Sequence, residues 1–180
     1  MRIFSFEHSK IAYRADFALY LIASAILAIC LITFGPQDQT LSMTCYVLSG
    51  IVSWTLIEYV LHRFVLHGLK PFSQWHAEHH RHPDALICTP TIISAALIIG
   101  LVFLPMLVLS DIWSACALTF GLLTGYLVYT ITHHAIHHWH VRGSWLEYRI
   151  YFHAIHHSRQ THRGNFGVTS SFWDQVFRTK

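Results

Sequence analysis

Residues 41–67 read LSMTCYVLSGIVSWTLIEYVLHRFVLH, an apolar stretch that runs without a break into histidines. From Leu41 to Leu61 the one charged side chain is Glu58, close to the end. A helix rising 1.5 Å per residue crosses the hydrocarbon core of a bilayer in a run of this length. His62 and His67 then fall where such a helix meets water. Three more runs of the same kind flank it: Phe17 to Phe34, closed by Gly35 and Pro36; Ile87 to Leu109; and Ile112 to Thr132. The chain has 180 residues, 53% hydrophobic and 12% charged, which lies outside the usual soluble composition. The pattern predicts an all-α integral membrane protein with four transmembrane helices in two hairpins.

The first run is longer than the roughly 7–15 residue core of a signal peptide, and residues of mixed charge precede it, so it is expected to be a span. Pro105 predicts a kink near the far end of the third span. Gly121 and Gly125 form a GxxxG in the fourth and predict a close helix contact. With no Ser, Gly or Pro rich linker, residues 1–180 are expected to form a single membrane domain. Cys30, Cys45, Cys88 and Cys116 all lie in apolar stretches without CxxC spacing, and neither a disulfide framework nor a thiolate metal site is expected.

The two short turns, Pro36 to Thr40 and Ser110 to Asp111, hold no Lys or Arg. All twelve basic residues lie in Met1 to Asp16, His62 to Leu86 and His133 to the C-terminus. By the positive-inside rule these segments, and with them both termini, are expected on the cytoplasmic side. The formal net charge of +3, without basic runs, is too small to suggest nucleic acid, and no nucleic-acid partner is expected.

Sixteen histidines outnumber the twelve Lys and Arg, and fifteen of them lie in the expected cytoplasmic cap of residues 62–86 and 133–180. They cluster as HRFVLH (His62, His67), WHAEHHRHP (His76, His79, His80), THHAIHHWH, and FHAIHH (His153, His156, His157). On a helix, residues four apart fall about 40° from one another and residues three apart about 60° to the other side, so HxxHH projects three imidazoles from one face. In THHAIHHWH two registers are open, His133 with His137 or His134 with His138. Either gives ten candidate ligands in all, five for each of two metals, with room left for water or dioxygen. Imidazole suits Fe, Zn, Cu and Ni alike. HExxH, HxxEH and a nucleophile elbow are absent, which removes the usual machinery of hydrolysis, and ExxH, the mark of soluble carboxylate di-iron bundles, is absent too. Glu58, one turn before His62, is expected to accept a hydrogen bond from a ligand imidazole; Glu78, Asp84 and Asp174 are candidates for the same role. Trp145, Tyr148, Tyr151 and Phe152 are expected to form an interfacial aromatic belt.

The ordered boxes HRFVLH, WHAEHHRHP, THHAIHH and FHAIHH, followed by NFGVTSSFWDQVFRT, resemble the fatty acid hydroxylase and sterol desaturase superfamily of membrane oxygenases, from about Glu58 to the C-terminus. The resemblance implies a di-metal centre, dioxygen as co-substrate and a membrane lipid entering from the bilayer. It places the ligands at His62, His67, His76, His79, His80, His133, His137, His153, His156 and His157. His133 and His137 are preferred because the family's third box follows a Thr, here Thr132. His134, His138, His140 and His162 are then left outside the ligand set. Oxidising an unactivated C–H bond needs a metal that changes oxidation state, so iron is expected, while zinc in purified protein would fit the ligands without supporting turnover. No HPGG haem motif is present, so the expected electron donor is external, a cytochrome b5 or a ferredoxin with its reductase. The expected location is the bacterial inner membrane or the endoplasmic reticulum, with the metal site on the cytoplasmic side.

A carotenoid hydroxylase or sterol desaturase of the same chemistry is the nearest alternative, and the NFGVTSSFWD tail weighs toward the fatty acid and sterol branch. A metal transporter would need ionisable groups along its path, and the four spans carry none at mid-depth. A non-catalytic membrane protein with a metal-stabilised cap would bind metal without consuming oxygen.

Overall fold

The computed structural model describes residues 9–86, 91–158 and 164–180. His8, Ile87, Cys88, Pro90 and His162 lie outside them. Helix α1 covers Lys10–Phe34. A 3-10 turn, Gln37–Gln39, leads into α2, Thr40–Val60, which continues through a π-helical turn, Leu61–Leu66. A short helix α3 follows at Phe72–Arg81. Helix α4 covers Thr91–Leu109, α5 Ile112–His138, α6 Trp145–Ser158 and α7 Phe172–Val176. Among the described residues there is no strand. Four stretches, Lys10–Phe34, Gln37–Leu66, Thr91–Leu109 and Ile112–His138, are long and apolar enough to cross a membrane. Their outer side chains, such as Ile32 at 85% and Val108 at 83% exposed, suit lipid rather than water.

The boundaries differ from those expected. α1 begins at Lys10 rather than near Phe17, because Ser9 caps it by accepting from Ala12 N–H at 3.1 Å. α2 and α5 do not stop at Leu61 and Thr132. They carry HRFVLH and THHAIHH on their own ends, so these histidines sit on continuations of spanning helices rather than in a separate cap. The start of the third span at Ile87 lies outside the described residues. Where Pro105 predicts a kink, a π-helical turn at Ile99–Phe103 just precedes it, the Leu104 N–H donating to the Ile99 carbonyl.

The chain divides into two compact units. One is built from His8–Trp54 and Cys88–Leu127. In it α2 and α5 approach at glycines: a side chain on Gly50 would strike the Leu118 carbonyl, one on Gly121 the Val47 carbonyl, and one on Gly125 would come within 2.5 Å of Trp54 Cβ. The expected GxxxG contact is therefore a backbone-to-helix approach. α1 meets α4 through Tyr20 Oη and Ser94 Oγ at 2.6 Å and through Thr91 Oγ1, which donates to Asp16 at 2.5 Å. The Tyr20 ring stands edge-on to Tyr126, and Tyr126 edge-on to Trp54. The second unit, from Thr55–Ile87 and Val128–Lys180, contains the clustered histidines.

Candidate metal centre

His62 and His67 are five residues apart, which on an α-helix would point them about 140° from one another. The π-helical turn removes that mismatch. The His67 N–H reaches back to the His62 carbonyl at 3.2 Å, and the two rings lie 5.2 Å apart. π turns of this kind are concentrated at functional sites. On α3, α5 and α6 ordinary helical spacing suffices, but each HxxHH triplet is shared out. His76 and His80 of α3 and His156 of α6 join His62 and His67 in one group. His79 of α3 and His153 of α6 join His133 and His137 of α5 in another. Within each group the candidate donor atoms lie within 4.8 Å of one another. His157 stands at the edge of the second group, its Nε2 3.0 Å from that of His153, and its ring stacks on His80 with centroids 4.1 Å apart.

The Nε2 atoms converge. In the first group the separations are 3.0 Å for His62 and His76, 3.1 Å for His76 and His80, and 3.1 Å for His67 and His156. In the second they are 3.2 Å for His133 and His137 and 3.0 Å for His137 and His153. Hydrogen bonding alone does not account for this. An imidazole nitrogen carries either one hydrogen or one lone pair, yet His76, His137 and His153 each face two other Nε2 atoms. Two nitrogens bound at right angles to one ion at about 2.1 Å would lie about 3.0 Å apart, so the spacing fits a metal. The buried His79 Nε2, which has no hydrogen-bond partner among the described residues, fits one as well. Protonation is also suited to ligation. Burial, followed by the surrounding imidazoles, pushes His80 down to about 4, His79 to about 3 and His157 to about 2, and lowers His76 and His153 well below the ordinary value. Burial lowers His156 as well, partly offset by the Gly164 carbonyl. Neutral rings keep the lone pairs a metal requires.

Behind the first group lies the loop of residues 164–171. His62 Nδ1 donates to the Phe166 carbonyl at 2.5 Å and His156 Nδ1 to the Gly164 carbonyl at 2.8 Å. A carbonyl only accepts, so the proton of each ring is fixed on Nδ1 and the lone pair on Nε2. Three buried charged residues hold the loop. Asp174, fully buried, accepts from Phe166 N–H at 2.9 Å, Gly167 N–H at 2.8 Å and the Thr179 hydroxyl at 2.8 Å. Glu58 accepts from Val168 N–H at 2.6 Å, Thr169 N–H at 2.9 Å and the Thr169 hydroxyl at 2.5 Å. Arg149 donates to the Val168 carbonyl at 2.8 Å, to Ser171 Oγ at 3.2 Å and to the Gly167 carbonyl. Asn165 takes a left-handed conformation, φ 57°, and at Gly167 a side chain would press on the Ser170 carbonyl and come within 3.0 Å of Asp174 Oδ2.

The family model described as fatty acid hydroxylase matches residues 47–179. The chain belongs to that family. It is 35% identical over 141 residues to a dihydroceramide fatty acyl 2-hydroxylase of Arabidopsis thaliana, covering 72% of this chain and 58% of that protein. To the fatty acid 2-hydroxylase of Homo sapiens it is 32% identical over 144 residues, 72% of this chain and 38% of that one. The chain thus spans between about a third and two thirds of the length of these relatives. The solved structure of full-length scs7p, of which only the hydroxylase domain is visible, superposes with a TM-score of 0.72 at 24% identity, over 93% of this chain and 66% of that chain. That likeness establishes the fold.

Against this family pattern, the ten histidines named from the resemblance all lie in or beside the two groups. His134 and His138 pair with each other instead, rings 4.5 Å apart, and belong to neither group. His140 is exposed. The acidic residues depart from expectation. Glu58 and Asp174 hydrogen-bond to the loop and, among the described residues, to no imidazole. Glu78 pairs with Arg81 at 2.7 Å and lies 3.4 Å from His82, so it belongs to the outer surface of α3. Asp84 is exposed and, among the described residues, bonds to no imidazole. Trp145, Tyr148 and Tyr151 are exposed, with Lys180 over the Phe152 ring. Sequence reasoning missed Arg149. The available signal was its spacing: four residues before His153 and seven before His156, it shares their face of α6, where an unpaired cation would be costly.

Proposed function

We propose that this chain is an O2-dependent hydroxylase of a fatty acyl chain, acting through two metal ions, with iron required for turnover. The single observation that carries the reading is the convergence of nine imidazoles in two adjoining groups, the donor atoms of each within 4.8 Å of one another, with His157 3.0 Å from His153 beside the second. His62, His67, His76, His80 and His156 would hold one ion, and His79, His133, His137, His153 and His157 the other. When bound, a pair of redox-active ions supplies the capacity to activate dioxygen and remove hydrogen from an unactivated carbon. The protein's part is positioning. The π-helical turn aims His62 and His67 at a common point, α3 and α6 each divide a triplet between the two sets, and the loop of residues 164–171 fixes the tautomers of His62 and His156. Burial keeps α3 and α6 imidazoles neutral at pH 7 and excludes competing water.

The dihydroceramide fatty acyl 2-hydroxylase and the fatty acid 2-hydroxylase among the relatives support an acyl chain as substrate, hydroxylated next to its carbonyl. An apolar chain would arrive through the bilayer that the four long helices are suited to span. The positive-inside distribution of Lys and Arg supports a metal site and both termini on the cytoplasmic side. The 180 residues hold no haem, flavin or nicotinamide motif, which supports an electron donor bound from outside them, such as a cytochrome b5 or a ferredoxin with its reductase. Lipid mass spectrometry of cells with and without the protein tests the reading. One lipid class is expected to gain a single oxygen atom on its acyl chain. An unchanged lipid profile would reject the proposal, and a chain that loses two hydrogens instead would make the protein a desaturase.

A further inference from the structure

The two groups of imidazoles differ in what holds them from behind. In the first, His62 and His156 are tied by Nδ1 to main-chain carbonyls of residues 166 and 164. In the second, the Nδ1 atoms of His79, His153 and His157 are buried and, among the described residues, have no hydrogen-bond partner. A tied Nδ1–H fixes the ring plane and tautomer and makes Nε2 a better donor, and loss of such a tie commonly weakens metal binding about 10- to 100-fold. The supports of these two carbonyls are themselves buried and bonded. Glu58 fixes Val168 and Thr169. Asp174 fixes Phe166 and Gly167.

We propose that the loop of residues 164–169 makes the two metal positions unequal. The ion among His62, His67, His76, His80 and His156 is held tightly, the ion among His79, His133, His137, His153 and His157 is exchangeable, and Glu58 is a positioning residue for the first ion alone. The inference rests on the two-metal reading above. Glu58 touches no imidazole. It acts through the loop's main chain, because the two N–H groups it accepts lie two and three residues beyond Phe166, whose carbonyl holds His62. The second ion is then the last to load and the first to be lost.

Release of zinc from the full chain in detergent micelles tests this. Zinc matches the imidazole donors without redox change, and an excess of a chromogenic pyridylazo-resorcinol chelator reports its departure. Wild-type protein is expected to release its zinc in two phases of equal amplitude, one ion in each. His153→Ala is expected to remove the fast phase. Glu58→Ala is expected to speed the slow phase about 10- to 100-fold and leave the fast one unchanged. Glu58→Gln, whose amide oxygen still accepts from Val168 and Thr169, is expected to return the slow phase toward the wild-type rate. If Glu58→Ala does not fold, Thr169→Val, which removes one hydroxyl bond to Glu58, is expected to give a smaller acceleration of the slow phase only. Equal acceleration of both phases would show general loosening and overturn the proposal. A single release rate for both wild-type ions, or loss of the slow phase in His153→Ala, would overturn it while leaving two metals in place. Fewer than two zinc ions per chain at saturation would overturn the two-metal reading and this inference together.

Discussion

In the unit of His8–Trp54 and Cys88–Leu127 the helices meet at Gly50, Gly121 and Gly125 and around the Tyr20, Tyr126 and Trp54 rings. The unit of Thr55–Ile87 and Val128–Lys180 instead buries Glu58, Arg149, Asp174 and imidazoles at the end of α2 and on α3 and α6. The first kind of packing is shape against shape, the means by which helices associate where lipid removes the hydrophobic drive between them. The second kind places groups that are costly to bury, and each of the three charged residues is bonded to one eight-residue loop. The contrast separates what makes a membrane helix bundle from what makes a candidate metal centre, and it predicts different consequences for substitutions in each unit.

The largest effect is expected at Asp174. Asp174→Ala leaves the Phe166 and Gly167 N–H groups and the Thr179 hydroxyl without their acceptor, at about 1–3 kcal/mol for each buried group. The sum approaches the whole stability of a typical domain, about 5–15 kcal/mol. The variant is expected to unfold at far lower temperature and to keep little metal. A wild-type melting temperature would show that the loop stands without its carboxylate.

The next effect is confined to one metal. His137→Ala is expected to lower the metal content from two ions per chain to one, while His138→Ala keeps both, because only His137 converges with His133 and His153. Elemental analysis of the two purified variants decides it, and the opposite pattern would reverse the register. In the other unit, Gly121→Leu forces a side chain onto the Val47 carbonyl and is expected to cost about 1–3 kcal/mol or more. Gly100→Ala, with nothing near it, serves as the control. Thermal unfolding in detergent should separate the two, and equal melting temperatures would deny the helix contact.

The four long helices were legible because a bilayer imposes a minimum apolar length, and the histidine boxes because triplets at helical spacing have few other uses. The ends of α2 and α5 were not legible, since hydropathy marks where a helix leaves the apolar layer, not where it stops. The His62 and His67 spacing does not announce a π-helical turn. It only fails to fit an α-helix, and that misfit was the available clue. Glu58 shows a second limit. Its position at the end of a span was informative, but its partners lie 110 and 111 residues further along the chain, a pairing that local pattern cannot supply. Choosing between His133 with His137 and His134 with His138 likewise depends on which face of α5 meets α3 and α6.

A further effect is expected on pH dependence. Burial holds His80 at about 4 and His79 at about 3, against an ordinary 6.5. The unfolded chain therefore takes up protons that the folded chain refuses. Stability is fully present above 6.5, begins to fall as pH drops through that value, and keeps falling toward about 4 and about 3. Metal-free protein should melt at lower temperature at about pH 5 than at about pH 7, and a melting temperature that rises on acidification would show that these imidazoles are charged in the fold.

The central claim is that the histidine-rich unit oxidises an acyl chain with oxygen taken from O2. Iron-loaded protein in lipid, supplied with an external reductase system, can be assayed under ¹⁸O2 in ordinary water and under ordinary O2 in ¹⁸O-labelled water. One labelled oxygen in the product is expected from the gas and none from the water. Label arriving from the water, or product formed without O2, would contradict it.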